Sequence, residues 1–133
     1  MKLFFSITFT LLSHITVLTQ TSISVQNMTP EEDYENLLVK KIYSDAHTST
    51  FIIWIKKGVK PHKHVTHTEQ VLVLEGKAKI QLNDKEIIVQ KGDWITIPEQ
   101  TIHGVKVVSE TPLKVISVQT PEFKGKDRVF IEQ

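Results

Sequence analysis

From Leu37 onward the apolar residues come in short runs, and turn-forming residues cut each run off before it reaches helical length. "LLVKKIY" (37–43) and "TFIIWIKK" (50–57) are rich in β-branched and aromatic side chains, which suit a pleated, half-buried surface. "EQVLVLEG" (69–76) closes on a glycine. "KAKIQLN" (77–83) alternates strictly, with Ala78, Ile80 and Leu82 on one face and Lys77, Lys79 and Gln81 on the other. Asn83-Asp84-Lys85 predicts a tight hairpin turn into "EIIVQ" (86–90), and "KGD" (91–93) breaks the chain ahead of "WITIP" (94–98). "IHGVKVV" (102–108) and "LKVISVQ" (113–119) follow, separated by "SETP". No segment after Asn36 sustains a helical period, and there is no internal repeat. Seven or more short strands at nearly regular spacing predict an all-β domain, either a sandwich or a small barrel. The tail (121–133) mixes charge with Phe123, Val129, Phe130 and Ile131, and is expected to lie back over the barrel as an arm or an edge strand.

The N-terminus is different in kind. "MKLFFSITFTLL" is one lysine followed by an apolar run, and no acidic residue appears before Glu31. That layout predicts a secretory signal peptide over residues 1–24, with Ser22 and Ser24 as small residues for cleavage, followed by a polar linker (25–36). A membrane anchor is the competing reading, but Leu3 to Leu18 is shorter than the roughly 20 residues that span a bilayer, and His14 interrupts it. A buried first strand is the third. The expected destination is the periplasm or the exterior, with no stable membrane insertion after processing. The absence of cysteine excludes disulfides, thiolate zinc sites and thiol nucleophiles. A net charge of +1 provides no bulk field for nucleic acid or anionic lipid. Lys56, Lys57, Lys60 and Lys63 form a local basic run, read as a solvated rim because no glycine-rich loop accompanies it.

Candidate chemistry concentrates in "HKHVTHTEQ" (62–70), which holds three of the chain's six histidines and a glutamate. His62 and His64 lie two apart, a spacing that points both imidazoles to one face of a strand and toward one ion. Glu69 opens the following strand, which can bring its carboxylate to the same side. A fourth ligand must come from a distant strand, and His103, just after the reversal at "IPEQTI", is the best candidate. His67 could substitute as a ligand or hydrogen-bond one of the others. His14 and His47 are read as ordinary polar residues, Trp54, Trp94 and Phe51 as core, and Tyr43 as packing rather than an acid or base at the mouth.

The spacing His62-x-His64-x4-Glu69-x6-Gly76, then Gly92-x5-Pro98-x4-His103, resembles the two motifs of the cupin superfamily. Three positions depart from the family pattern. Gly58 precedes His62 by four residues rather than the usual six, Gln100 stands where a glycine often follows the proline, and Val107 replaces a frequent asparagine. The resemblance covers residues 37–120 and implies a six- to eight-stranded cupin barrel, a double-stranded jelly roll. It implies a metal ion held inside by His62, His64, Glu69 and His103. Three imidazoles and a carboxylate suit one divalent transition ion, Fe, Mn, Co, Ni or Zn, without selecting among them. Gln70 is a further ligand or substrate contact, because some sugar-acid cupins use a glutamine there.

Small single-domain cupins include dioxygenases, isomerases, lyases, ring-opening enzymes for unsaturated uronates, and binding modules without catalysis. The expected function is a metal-dependent enzyme acting on a small oxygen-bearing, carbohydrate- or organic-acid-like substrate. Glu69 would either stay a ligand or act as base. The alternative is a non-catalytic module that binds or senses a small ligand. A homodimer is also expected, because Phe123 and Phe130 in the tail need cover.

Overall fold

The computed structural model describes residues 22–131. The expected signal segment therefore lies outside the described residues except for its last three positions. Ten strands are present among the described residues: β1 (Leu37–Ser44), β2 (Ser49–Ile55), β3 (Gly58–His64), β4 (Thr68–Glu75), β5 (Lys77–Leu82), β6 (Lys85–Gln90), β7 (Trp94–Ile97), β8 (His103–Val107), β9 (Leu113–Thr120) and β10 (Arg128–Phe130). They form two antiparallel five-stranded sheets, in the orders β1-β2-β9-β4-β7 and β10-β3-β8-β5-β6. The architecture is an all-β jelly roll. It exceeds the six to eight strands implied by the motifs because β1 and β10 extend one edge of each sheet.

Alternation along the strands builds the interior. Val71 and Val73 of β4, Ala78 and Ile80 of β5, Ile95 and Ile97 of β7, and Leu113 and Val115 of β9 point between the sheets and are nearly free of solvent. Leu82 packs against the same cluster, so the face read from "KAKIQLN" is the core face. The hairpin also falls where the turn residues place it. Leu82 pairs with Lys85, and Asn83 adopts a left-handed φ of 50°, which asparagine tolerates better than most residues.

A second apolar layer lies on the outer face of the first sheet. Ile52, Trp54 and Leu74 are buried there under Val25, Met28 and Tyr34. Residues 25–36, expected as a polar linker, therefore do more than connect. A 3-10 turn at Val25–Asn27 brings the segment over the sheet, and the backbone oxygen of Gln26 accepts a 2.9 Å bond from the buried Nζ of Lys114. This cover explains why β2 is apolar on both faces. Trp94 corrects the reading of it as core: it sits on the edge strand β7, alternates out of phase with Ile95 and Ile97, and is 55% exposed.

The junction of β3 with β8 is irregular just ahead of the histidines. Val59 pairs with Val105 and His62 with His103, so Lys60 and Pro61 together face Gly104. Proline has no N–H to give the ladder, and a bulge accommodates it. Gly104 makes room: a Cβ there would lie 3.3 Å from the nitrogen of Pro61 and the oxygen of Val59.

Candidate metal centre

The bulge at Pro61 is followed by two residues whose side chains point into the barrel, His62 and His64, and β8 adds His103 directly opposite His62. All three are buried, and one ring nitrogen from each lies within 4.8 Å of the other two. Glu69 arrives from the facing sheet at the start of β4. Its Oε2 is 3.3 Å from His103 Nε2 and 3.5 Å from His64 Nε2. The three histidines expected from the spacing cluster on one sheet, and Glu69 approaches two of them, His64 and His103, from the other. The cluster could hold an ion.

Backbone carbonyls orient two of the rings. Nδ1 of His62 is 2.9 Å from the oxygen of Lys60, and Nδ1 of His103 is 2.9 Å from that of Thr101. A carbonyl only accepts, so Nδ1 carries a proton in each ring, leaving Nε2 free to take a proton or a cation at the centre. The Nε2 atoms of His64 and His103 are buried without a hydrogen-bond partner. Orphaned imidazole nitrogens aimed at one point beside a carboxylate are what a transition-metal ion would satisfy, so the donor set fits. Burial, with the neighbouring His103 adding to it, lowers the pKa of His62 to about 4, keeping its lone pair free at neutral pH. Burial pushes Glu69 the other way, but contacts from His103, His64 and the hydroxyl of Ser117 outweigh it and hold the carboxyl below the ordinary carboxylate range. Ser117 Oγ donates to Glu69 Oε1 over 2.5 Å, leaving Oε2 directed at the histidines.

His67 is buried beside this group but is already committed. Its Nδ1 lies 2.5 Å from Asp127 Oδ2 and its Nε2 2.9 Å from the backbone oxygen of Glu122, so both nitrogens face acceptors. It can be grouped with His64 and Asp127 as a second set of ligand-type residues, yet it offers no lone pair that lacks a partner, unlike His64 and His103. Its role is to hold Asp127, whose other oxygen accepts from the backbone and hydroxyl of Thr66 at 2.9 and 2.8 Å. Asp127 in turn stands 3.5 Å from His64 Nδ1. At that distance it makes no hydrogen bond to the ring, but its negative charge lies behind a ligand-type histidine and favours a cation on the far side.

Several expectations are corrected here. Gln70 does not reach the site: alternation along β4 sends it to the face opposite Glu69 and Val71. Tyr43 is neither core nor at the cavity; it is 53% exposed and bonds Asp45. Phe123 needs no second subunit to cover it, since it packs edge-on against Phe51, His64 and His67. Phe130 remains 56% exposed. His47 is an exposed loop residue, as read.

Four contributors were not foreseen: Ser117, Gln119, Asp127 and Arg128. Ser117 and Gln119 carried a signal, being polar residues in phase with the inward Leu113 and Val115 of β9. Asp127 and Arg128 carried none, because only the return of the tail along β3, Arg128 opposite His64, brings them to the site.

The site opens into a cavity of about 60 Å³ between the sheets, lined by His62, Glu69, His103 and Arg128 and otherwise by aliphatic side chains. No helix among the described residues is long and apolar enough to cross a membrane.

Comparison with known proteins agrees with this architecture. The cupin domain model matches residues 50–119. An uncharacterised protein of Aquifex aeolicus is 30% identical over 102 residues, spanning 77% of this chain and 84% of the relative. Among solved structures, KdgF from Halomonas sp. superposes with a TM-score of 0.62 at 22% identity, covering 68% of this chain and 85% of that one. A double-stranded β-helix protein from Klebsiella pneumoniae reaches 0.72 at 14% identity, covering 86% and 100%. Motifs, fold and family model agree, and the chain belongs to the cupin family.

Proposed function

We propose that His62, His64, Glu69 and His103 hold one divalent transition-metal ion, and that the protein is a metal-dependent enzyme for a small oxygen-bearing substrate of carbohydrate or organic-acid type. The observation that carries this reading is the clustering of three buried imidazoles, two of which turn Nε2 atoms without hydrogen-bond partners toward the Oε2 of Glu69. A bound ion of this class supplies a Lewis acid or a redox centre for a substrate carbonyl or hydroxyl. The chain's own residues do the rest. Lys60 and Thr101 fix two imidazoles through their carbonyls, Ser117 holds Glu69, and the aliphatic walls keep water from the reacting end of the substrate. Glu69, ionised and buried, is the side chain placed to take a proton if it releases from the ion.

Elemental analysis of the protein purified from its own host is expected to return about one transition-metal ion per chain. Absence of every such ion would remove the reading. Turnover assays with the identified metal then separate an enzyme from a module that only binds, since the latter predicts saturable binding without product.

Asp127→Asn is expected to weaken the ion's hold about 10-fold, because the variant keeps the shape beside His64 but loses the negative charge 3.5 Å behind its ring. Competition against a chelating dye measures this. An unchanged affinity would limit Asp127 to fastening the tail.

A further inference from the structure

Among the described residues, Arg128 is the one charged side chain lining the cavity besides Glu69 and the histidines. It lies directly opposite His64 in the β10–β3 ladder, and opposed residues of an antiparallel pair project from the same face. Its side chain therefore enters the cavity from the tail side. Its Nε is shielded from solvent and has no hydrogen-bond partner, and no carboxylate among the described residues comes within 4.0 Å of its guanidinium. The neighbouring Asp127 is engaged by His67 and Thr66. Arg128 is half-buried, and the inner edge of its guanidinium, at Nε, has lost water at an apolar cavity wall without gaining an acceptor, a cost that arginine cannot escape by shedding its proton.

An anion is what would satisfy this nitrogen, and none among the described residues does so. Arginine's planar fork matches two oxygens at once, and in a low-dielectric pocket such a paired contact discriminates strongly against neutral isosteres. The cavity of about 60 Å³ admits roughly four to six non-hydrogen atoms if each takes the ~10–15 Å³ of a water site. That space takes a carboxylate and the one or two atoms joined to it. We propose that Arg128 is the specificity-determining residue of this site, binding the carboxylate of an organic-acid substrate while the adjoining oxygen of that substrate faces the histidine cluster. The inference rests on the metal-centre reading above and narrows its substrate class to acids.

The test is calorimetric binding to the full-length, metal-loaded protein, using glycolate and pyruvate, their matched amides, and inorganic phosphate. In the wild type, each acid should bind at least about tenfold more tightly than its amide. Arg128→Met should abolish that preference while retaining one ion per chain and an unchanged circular-dichroism spectrum, and Arg128→Lys should restore part of it. Acids that bind no better than amides, or a preference that survives in Arg128→Met, would overturn the assignment with the metal reading intact. Phosphate bound more tightly than the acids, and lost in Arg128→Met, would overturn the carboxylate in favour of a phosphoryl group. Failure of the wild type to retain any ion is the separate failure of the underlying reading. Acid preference in that metal-free protein would still stand or fall with Arg128→Met.

Discussion

Replacing His64 by alanine should abolish specific metal binding and with it most of the stabilisation that the ion provides. His64 is the residue on which the two sides of the site converge: Nε2 faces Glu69 Oε2 at 3.5 Å and Nδ1 faces Asp127 Oδ2 at 3.5 Å. It is 2% exposed, so water cannot stand in for the ring without a rearrangement of the cavity. Loss of a supporting group behind a ligand already weakens metal sites by about 10- to 100-fold, so loss of the ligand itself should exceed that range. An ion present at about 100 times its dissociation constant stabilises the native state by about 2.7 kcal/mol, which is roughly 10 °C in unfolding midpoint for a domain of this size. That metal-induced rise should be present in the wild type and absent in His64→Ala. Without metal, the two proteins should differ by no more than about 2 kcal/mol. The variant loses packing, but it also removes two buried nitrogens that lack partners. Thermal unfolding with and without added Mn, Fe(II), Co, Ni or Zn provides the measurement. An equal rise in both proteins would place the ion elsewhere.

The histidine cluster was legible because it depends on short-range periodicity and two motif spacings. A two-residue separation on an extended strand places both imidazoles on one face wherever that strand goes, and the barrel then needs only to bring β8 alongside β3. The same rule removes Gln70 from the site: it neighbours Glu69 in sequence and therefore faces away from it in the sheet. What the pattern does not contain is which distant strand becomes whose neighbour. Ser117 comes to Glu69 from a strand 48 residues later, and Asp127 comes to His67 from the tail 60 residues later. No local preference encodes either contact. The apolar character of β2 on both faces did encode a second covering layer, but the sequence of the cover itself, with Val25, Met28 and Tyr34 dispersed among polar residues, has no period that would mark it as one.

The departures from the motif pattern also have structural outcomes. Gln100 occupies the position where a glycine is frequent, and its φ of 64° is the left-handed conformation that glycine adopts at little cost. The glutamine offsets its strain with contacts glycine lacks in part: its N–H donates to the oxygen of His64 at 2.7 Å, and its Nε2 donates to that of Val65 at 2.8 Å. The turn between β7 and β8 is thereby tied to the end of β3, next to a proposed ligand. The tail does similar work from the other side, pairing Arg128 through Phe130 with His64 through His62. The site is thus braced by elements from both ends of the barrel, and the short spacing from Gly58 to His62 becomes a matter of strand contact.

Gly58→Ala is expected to be among the most damaging single-atom additions to this protein, and its effect should reach the metal. Gly58 needs space rather than backbone freedom. A Cβ built there would lie 2.2 Å from the carbonyl oxygen of Val105, 3.2 Å from that residue's carbonyl carbon and 3.4 Å from Lys106 Cα. These are backbone atoms of β8, which cannot rotate away as a side chain would, so β3 and β8 must separate. The start of β3 cannot easily move either, because the side chain of Asn36 bonds both the N–H and the oxygen of Gly58, at 3.2 and 2.8 Å. Overpacking against fixed surroundings costs about 1–3 kcal/mol and occasionally more, and contact with backbone belongs at the upper end. A loss of about 3 kcal/mol should lower the unfolding midpoint by roughly 10–15 °C. Because the same two strands carry His62 and His103, whose rings stand 4.1 Å apart, the displacement should also weaken metal binding. Gly92→Ala is the matched comparison. Gly92 has a φ of 93° but nothing within 4 Å of its added carbon, so it should cost about 1–2 kcal/mol in backbone strain and leave metal affinity unchanged. A Gly58→Ala midpoint within about 3 °C of the wild type would show that β8 yields where the packing says it cannot.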